Sequence, residues 1–316
     1  MNHSAISVAG PRAREIAELL VLFVGVSAVV YVIVVCALIW AIRRKRAATR
    51  FEDDDARRAA DRKSRHIIGA ATALSVLILI TLALADFFVQ RSLSAHPVDA
   101  LRVVVTGHQY WWEIEYDDPA PSQRVRTANE LHIPVGRPVE LVLTSRDVIH
   151  SFWLPSITGK KDLIPGHTTS EVLVAEKPGV FTGQCAEFCG LQHAKMRLVM
   201  HAVSPEEYEA WRQQQLQPGR QPATDEERRG QSVFTKSSCI LCHSIQGTDA
   251  AATVGPDLTH IASRTTLAAG TLPNDQSNMA TWILSPHAIK PGVQMPATQL
   301  APADLAALTR YLASLQ

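Results

Sequence analysis

Apolar positions are spread very unevenly along the chain. Residues 16–42 are nearly all Leu, Val, Ile, Ala and Phe, with Glu18 as the only charge. About 20 such residues are enough to cross a bilayer as a helix. The apolar part of a secretory signal peptide would be roughly 7–15 residues and end at a small-residue cleavage site. This run is longer and leads into Arg43-Arg44-Lys45-Arg46, so the pattern predicts an anchor. A second apolar run, 67–89, has Asp86 near its outer end. Between them, residues 43–65 carry ten Lys or Arg against five acids. The positive-inside rule makes this loop cytoplasmic and sends both termini outward. The acidic run 52–55 is read as solvating the loop.

From about residue 100 the pattern shortens into β-like runs at 101–106, 111–116, 138–144, 169–174 and 195–203, punctuated by Gly and Pro. Short strands at such spacing predict a sandwich or barrel. Ser204-Pro205-Glu206-Glu207 then has the form of a capping box with Pro in the first turn, which opens a helix. A Gln-rich stretch with Pro and Gly follows and reads as a linker. Thr224 to Glu227 repeats the capping pattern and begins a helical last segment. The expected organisation is a mixed multi-domain chain. It has a transmembrane hairpin at 1–95, a β-sandwich at 96–212, a linker at 213–223 and an all-α domain at 224–316.

Composition adds one exclusion and one pointer. With a net charge of +1 and 19% charged residues, the 316-residue chain has no electrostatic signature of nucleic-acid binding. Of its five cysteines, Cys36 lies inside an apolar run and reads as a small buried hydrophobe. The other four form two close pairs with His nearby, which points to metal or haem chemistry.

The first pair sits in Cys185-Ala186-Glu187-Phe188-Cys189-Gly190-Leu191-Gln192-His193-Ala194-Lys195-Met196, and His150 stands 35 residues before Cys185. Thiolate and thioether select soft metals, and imidazole suits copper. A blue-copper site needs one Cys, whereas two allow a pair of bridging sulfurs between two copper ions. A disulfide between Cys185 and Cys189, or a structural zinc site, would be the plain alternatives. Zinc rarely takes Met as a ligand, and the Cys-x3-Cys-x3-His-x2-Met spacing favours copper.

These residues resemble subunit II of the haem–copper cytochrome c oxidases. The likeness also takes in the two spans, Gly107-His108-Gln109, His150-Ser151-Phe152 and Asp162-Leu163-Ile164-Pro165-Gly166, over roughly residues 16–212. It implies a cupredoxin-type β-sandwich with a dinuclear copper centre. The implied ligands are His150, Cys185, Cys189, His193 and Met196, plus Glu187 through its backbone carbonyl. The Glu187 carboxylate would serve a magnesium ion shared with subunit I. Two positions depart from the family pattern. The aromatic run reads Tyr110-Trp111-Trp112 where the family usually has Trp-Tyr-Trp, and Ser64-Arg65-His66 stands where many members have an acid.

The second pair is Cys239-Ile240-Leu241-Cys242-His243, the attachment pattern of a c-type haem. Two thioethers would tether the porphyrin, and His243 would be the proximal ligand. Candidates for the opposite ligand are His260, Met279, His287 and Met295. Met295 lies 52 residues after His243 in a Pro-bounded loop before the closing helix, and it is the expected one. The segment 224–316 resembles a small class-I cytochrome c.

The resulting expectation is a fused electron-transfer subunit in a bacterial plasma membrane, with its soluble parts in the periplasm. Haem c would feed dinuclear copper, and copper would feed haem a in subunit I, where dioxygen is reduced and protons are translocated. Subunit III, and an external cytochrome c or a quinol–cytochrome c reductase complex, are the further partners. The equivalent subunit of a nitric oxide reductase and a copper-delivery protein are the alternatives.

Overall fold

The structure, a computed structural model, describes residues 4–45, 54–94, 97 and 99–316. The middle of the basic loop, including Glu52 and Asp53, lies outside the described residues, as does the expected domain boundary at 95–96. Two compact units are present, 14–95 and 1–13 with 96–316.

The first unit is made by two helices, α1 (Pro11–Lys45) and α2 (Asp54–Leu93). Each contains a window apolar enough to cross a membrane, and none of that window is buried in the protein. Val21 is 72% and Phe88 63% exposed. A lipid surround removes the cost of exposing such side chains to water. Ser92 Oγ donates to Glu15 Oε1 at 3.3 Å, so the start of α1 and the end of α2 lie at the same end of the hairpin.

In the second unit ten strands make two five-stranded sheets. The strands are β1 (Leu101–His108), β2 (Trp111–Tyr116), β3 (Val125–Ala128), β4 (Glu130–Pro134), β5 (Val139–Ser145), β6 (His150–Trp153), β7 (Lys161–Leu163), β8 (Thr169–Leu173), β9 (Gly179–Cys185) and β10 (Arg197–Val203). One sheet runs β3-β2-β1-β5-β8 and the other β4-β10-β9-β6-β7. The β1–β5 and β4–β10 pairs are parallel; the other pairs are antiparallel. Period-two alternation puts Val139, Leu141 and Leu143 of β5, and Trp112, Ile114 and Tyr116 of β2, into the core between the sheets. This is the cupredoxin-like domain.

Residues 4–13 join this unit and not the hairpin, unlike the expected 1–95 boundary. Ala9 N donates to Ser156 O, Ala13 N to Ile157 O, and Glu176 N to Ala9 O. Arg12 pairs with Glu171 at 2.7 Å. Backbone groups that need partners, rather than hydrophobic pattern, hold this segment in place.

Helix α3 (Pro205–Gln215) starts at a capping box between Ser204 and Glu207 and lays Tyr208 and Trp211 against Tyr116. The expected linker is therefore helical for its first three residues. Its remainder is fastened to the helical domain, with Gly219 N donating to Gln246 O and His260 Nε2 3.0 Å from Gln217 O.

The cytochrome c domain comprises α4 (Asp225–Lys236), a two-stranded β11 (Thr266–Leu267) and β12 (Leu272–Pro273), α5 (Gln276–Leu284), the short α6 (Pro286–Ile289) and α7 (Pro302–Ser314). The Thr224–Glu227 capping box is formed. Phe234 of α4 packs with Leu308, Tyr311 and Leu312 of α7 in its core.

Candidate metal and haem centres

Strand β6 opens at His150 and strand β9 ends at Cys185, and Phe152 pairs with Cys185 across them. The loop after β9 carries the remaining donors back over the end of the sandwich. Cys185 Sγ lies 3.9 Å from Cys189 Sγ, 3.9 Å from His150 Nδ1 and 3.2 Å from the Glu187 carbonyl oxygen. Cys189 Sγ lies 3.8 Å from His193 Nδ1 and 3.9 Å from Met196 Sδ. The other four expected donors thus surround the two cysteine sulfurs, and both cysteines are free thiols. His150, Cys185 and Cys189 alone form a group able to hold a metal ion.

The electrostatics of the pair call for a cation. The Cys189 thiol beside it holds the Cys185 pKa well down. The resulting thiolate pushes the second ionisation, at Cys189, well up. A bound cation removes that opposition and lets both sulfurs ionise. Burial pushes the His150 pKa down, but hydrogen bonds to Cys185 and Asp147 outweigh it and raise the net value. Asp147 Oδ1 accepts from His150 Nε2 at 2.8 Å, which leaves Nδ1 turned to the sulfurs. Gly107 makes room for this ring, since a Cβ there would lie 2.7 Å from His150 Cδ2. The donor set fits copper. The Glu187 side chain is about half exposed, with Lys160 Nζ 3.9 Å from its Oε2.

The aromatic run divides by role. Trp112 is fully buried, with its ring 6.0 Å from His150 and 5.8 Å from Phe152. Tyr110 is buried under the copper loop, where its hydroxyl accepts from Leu191 N. Trp111 stacks on His108 at 4.3 Å.

In the helical domain, Cys239, Cys242 and His243 line one largely apolar cavity together with Met279 and Met295. His243 Nδ1 donates to Pro256 O at 2.7 Å, so Nε2 carries no proton and keeps its lone pair. Burial lowers the pKa of this ring further, which favours the neutral, ligating form. Gly255 lies against the imidazole, where a Cβ would come within 2.8 Å of Cε1. Two thiols, a lone-pair nitrogen and a thioether around apolar walls fit a covalently held haem. His260 is turned elsewhere, with its nitrogens 2.8 Å from Gln316 O and 3.0 Å from Gln217 O. His287 is exposed and does not line the cavity.

Sequence reasoning missed Asp147, although an acid three residues before a ligating His on a turn was a usable signal. It also missed Gln109, whose Nε2 donates to Cys189 O at 2.6 Å while lining the haem cavity.

Comparison with known proteins agrees with both centres. Residues 118–203 match the family profile "Cytochrome C oxidase subunit II, periplasmic domain", and residues 227–316 match that of cytochrome c. Cytochrome c oxidase subunit 2 of Alkalihalophilus pseudofirmus is 34% identical over 322 residues, which cover 100% of this chain and 91% of that protein. The Bacillus subtilis protein of the same name is 32% identical over 251 residues, covering 76% of this chain and 69% of its own. Among solved structures, the periplasmic domain of subunit II of cytochrome oxidase of Bradyrhizobium japonicum is 31% identical. It covers 37% of this chain and 94% of its own, with a TM-score of 0.35. A copper-binding sandwich, a haem-binding helical domain and two apolar helices in one polypeptide, matched end to end by such a relative, mean that this chain belongs to the cytochrome c oxidase subunit 2 family, as a membrane-bound electron-transfer component of a haem–copper oxidase that partners subunit I.

Proposed function

We propose that the chain passes electrons from a covalent haem c to a dinuclear copper centre and on to haem a of subunit I, as part of a proton-translocating oxidase. The observation that carries this reading is the ring of donors about two sulfurs 3.9 Å apart. Two thiolates shared between two copper ions would spread one electron's charge over both, so that little would have to move on electron transfer.

The chain's own residues prepare each centre. His150, Cys185, Cys189, His193, Met196 and the Glu187 carbonyl would hold the copper ions. Asp147 orients His150, and Gln109 fixes the Cys189 carbonyl. Cys239 and Cys242 would tether the haem, with His243 and Met295 on its iron. Methionine ligation would raise the haem potential relative to two histidines. The half-exposed Glu187 carboxylate is suited to a hard cation such as magnesium at the contact with subunit I. Subunit III, and an external cytochrome c or quinol–cytochrome c reductase complex, complete the partners.

Membrane placement follows from the same chain. Residues 4–13 pack on the copper-binding domain, which supports a path that leaves and returns to one side of the membrane between residues 13 and 97. That supports two crossings, both termini outside and the basic loop in the cytoplasm.

Metal analysis and EPR of the purified chain test the reading. Two coppers per chain, one haem and a seven-line mixed-valence pattern are expected. One copper with a four-line signal would mean a mononuclear blue-copper site and would overturn it.

A further inference from the structure

The cytochrome c domain meets the copper domain through two buried charges of opposite sign, one contributed by each side. Lys290, just after α6, is 2% exposed. Its Nζ donates to Ala268 O of its own domain at 3.0 Å, and across the interface to Tyr110 O at 3.0 Å and Lys195 O at 2.8 Å. An ammonium has three donors, and here each has one carbonyl. Burial and the nearby Lys195 charge push this group's pKa down to about 7, with Cys189 opposing them.

Glu130 of β4 is the reciprocal anchor and is also 2% exposed. Its Oε1 accepts from the backbone N–H groups of Thr265 at 2.8 Å and Thr266 at 2.9 Å, and from their hydroxyls at 2.7 and 3.1 Å. Between the anchors, Gln192 Nε2 donates to Pro291 O, Lys195 Nζ to Ile289 O and Arg197 N to Ala269 O. The copper loop is therefore stitched to the cytochrome side on both flanks of His193. The haem cavity is closed on this side by Gln109, Tyr110 and Trp111.

A tethered domain that docks and undocks would use exposed charges, which cost little to separate. Buried charges do the opposite, because undocking leaves the interface incomplete and redocking must desolvate them again. We propose that Lys290 and Glu130 are positioning residues that hold the cytochrome domain in one pose on the copper loop, dedicating its haem face to the copper centre. The inference rests on the electron-transfer reading above and adds that the two domains work as one rigid donor–acceptor pair. Electron transfer slows as the gap between donor and acceptor widens, so a fixed pose is a kinetic device.

The test uses the assembled oxidase with Lys290→Met, which keeps the length and apolar stem of the side chain. Hydrogen exchange reads the pose directly at the Arg197, Thr265 and Thr266 amides. Exchange there should quicken about tenfold or more. In flash photolysis or stopped flow, one electron leaving the haem should reach the copper at least about tenfold more slowly. The seven-line copper signal and the haem spectrum should be retained, which a general loosening of either centre would not allow; because Lys290 lines the haem cavity, the potentials are compared in Thr265→Val, where both should stay unchanged. Thr265→Val, outside both cofactor pockets, gives the same comparison if Lys290→Met does not accumulate. Glu130→Gln, which retains an acceptor oxygen, should recover most of the rate lost in Glu130→Ala. Exchange and transfer both within about twofold of the parent would overturn the proposal. A parent lacking haem or the seven-line copper signal would instead overturn the functional reading on which it rests.

Discussion

The carboxylate of Asp147 holds the ring of His150 from behind, with Oδ1 2.8 Å from Nε2 while Nδ1 faces the Cys185 sulfur at 3.9 Å. The same carboxylate accepts from Gln109 N and Val148 N, so it is fixed by backbone before any metal arrives. Loss of such an orienting partner typically weakens metal binding 10–100-fold. Asp147→Ala should lower copper affinity by about that factor, and Asp147→Asn by less. Competition with a chelator of known affinity measures it, and an unchanged affinity in Asp147→Ala would show that the ring orients itself.

Met295→Ala should abolish the weak near-infrared methionine–iron band of the ferric haem and lower its potential. Met279 lines the same cavity from α5 and is 4% exposed, as a core residue would be. Met279→Leu should therefore keep the band and cost about 1.5 kcal/mol or less of stability, as volume-conserving swaps do. If the band instead disappears with Met279→Leu and persists in Met295→Ala, the two roles are exchanged.

Protease added outside right-side-out vesicles should leave the basic segment after Arg43 intact. It should also cut slowly near Gln217, where the connection is hydrogen-bonded to the helical domain. Rapid cleavage within 43–65 under those conditions would reverse the orientation.

Acidification should destabilise the copper domain in two steps. Burial and the neighbouring His201 hold the His132 pKa down to about 3, against an ordinary value of 6.5. The unfolded chain therefore binds this proton first, and stability falls as pH drops from about 6.5 toward 3. Burial pushes Glu130 up, but bonds from His201, Thr265 and Thr266 outweigh it and leave its pKa lowered. Its contribution is present above about 4.5 and is lost as pH falls through the folded value. The charged and titratable groups facing it are His201, Arg264 and His132. Thermal unfolding of His132→Phe, which preserves the stack on Trp211, should be flat between pH 6.5 and 4.5 where the parent declines. An equal decline in both would assign the slope to another group.

Chemistry was more legible in the sequence than packing. Both capping boxes and the strands at 101–106 and 111–116 follow from local pattern and recur with small shifts in boundary, and both spans recur within longer helices, the second beginning at Asp54 rather than 67. The copper and haem donors were legible because thiol, imidazole and thioether at fixed spacing have few other uses. Strands β3, β4, β6, β7 and β9 were not, since several are short and supply little alternation to read. The partners of Tyr110, Glu130 and Lys290 lie as far as 180 residues away, and long-range neighbours leave no local trace. The Tyr110-Trp111-Trp112 departure also resolves only in three dimensions. Tyr110 and Trp112 are buried, and Trp111 and Tyr110 both wall the haem cavity.

The clasp on residues 4–13 has a consequence in time. Ser4 is held by Ser156, 152 residues further along the chain. At synthesis rates of roughly 5–20 residues per second, the leading segment is made on the order of ten to thirty seconds before the turn that binds it. Its backbone partners do not yet exist when it is made, and its seating comes only after the sandwich has closed. A segment made early is thus among the last to find its place.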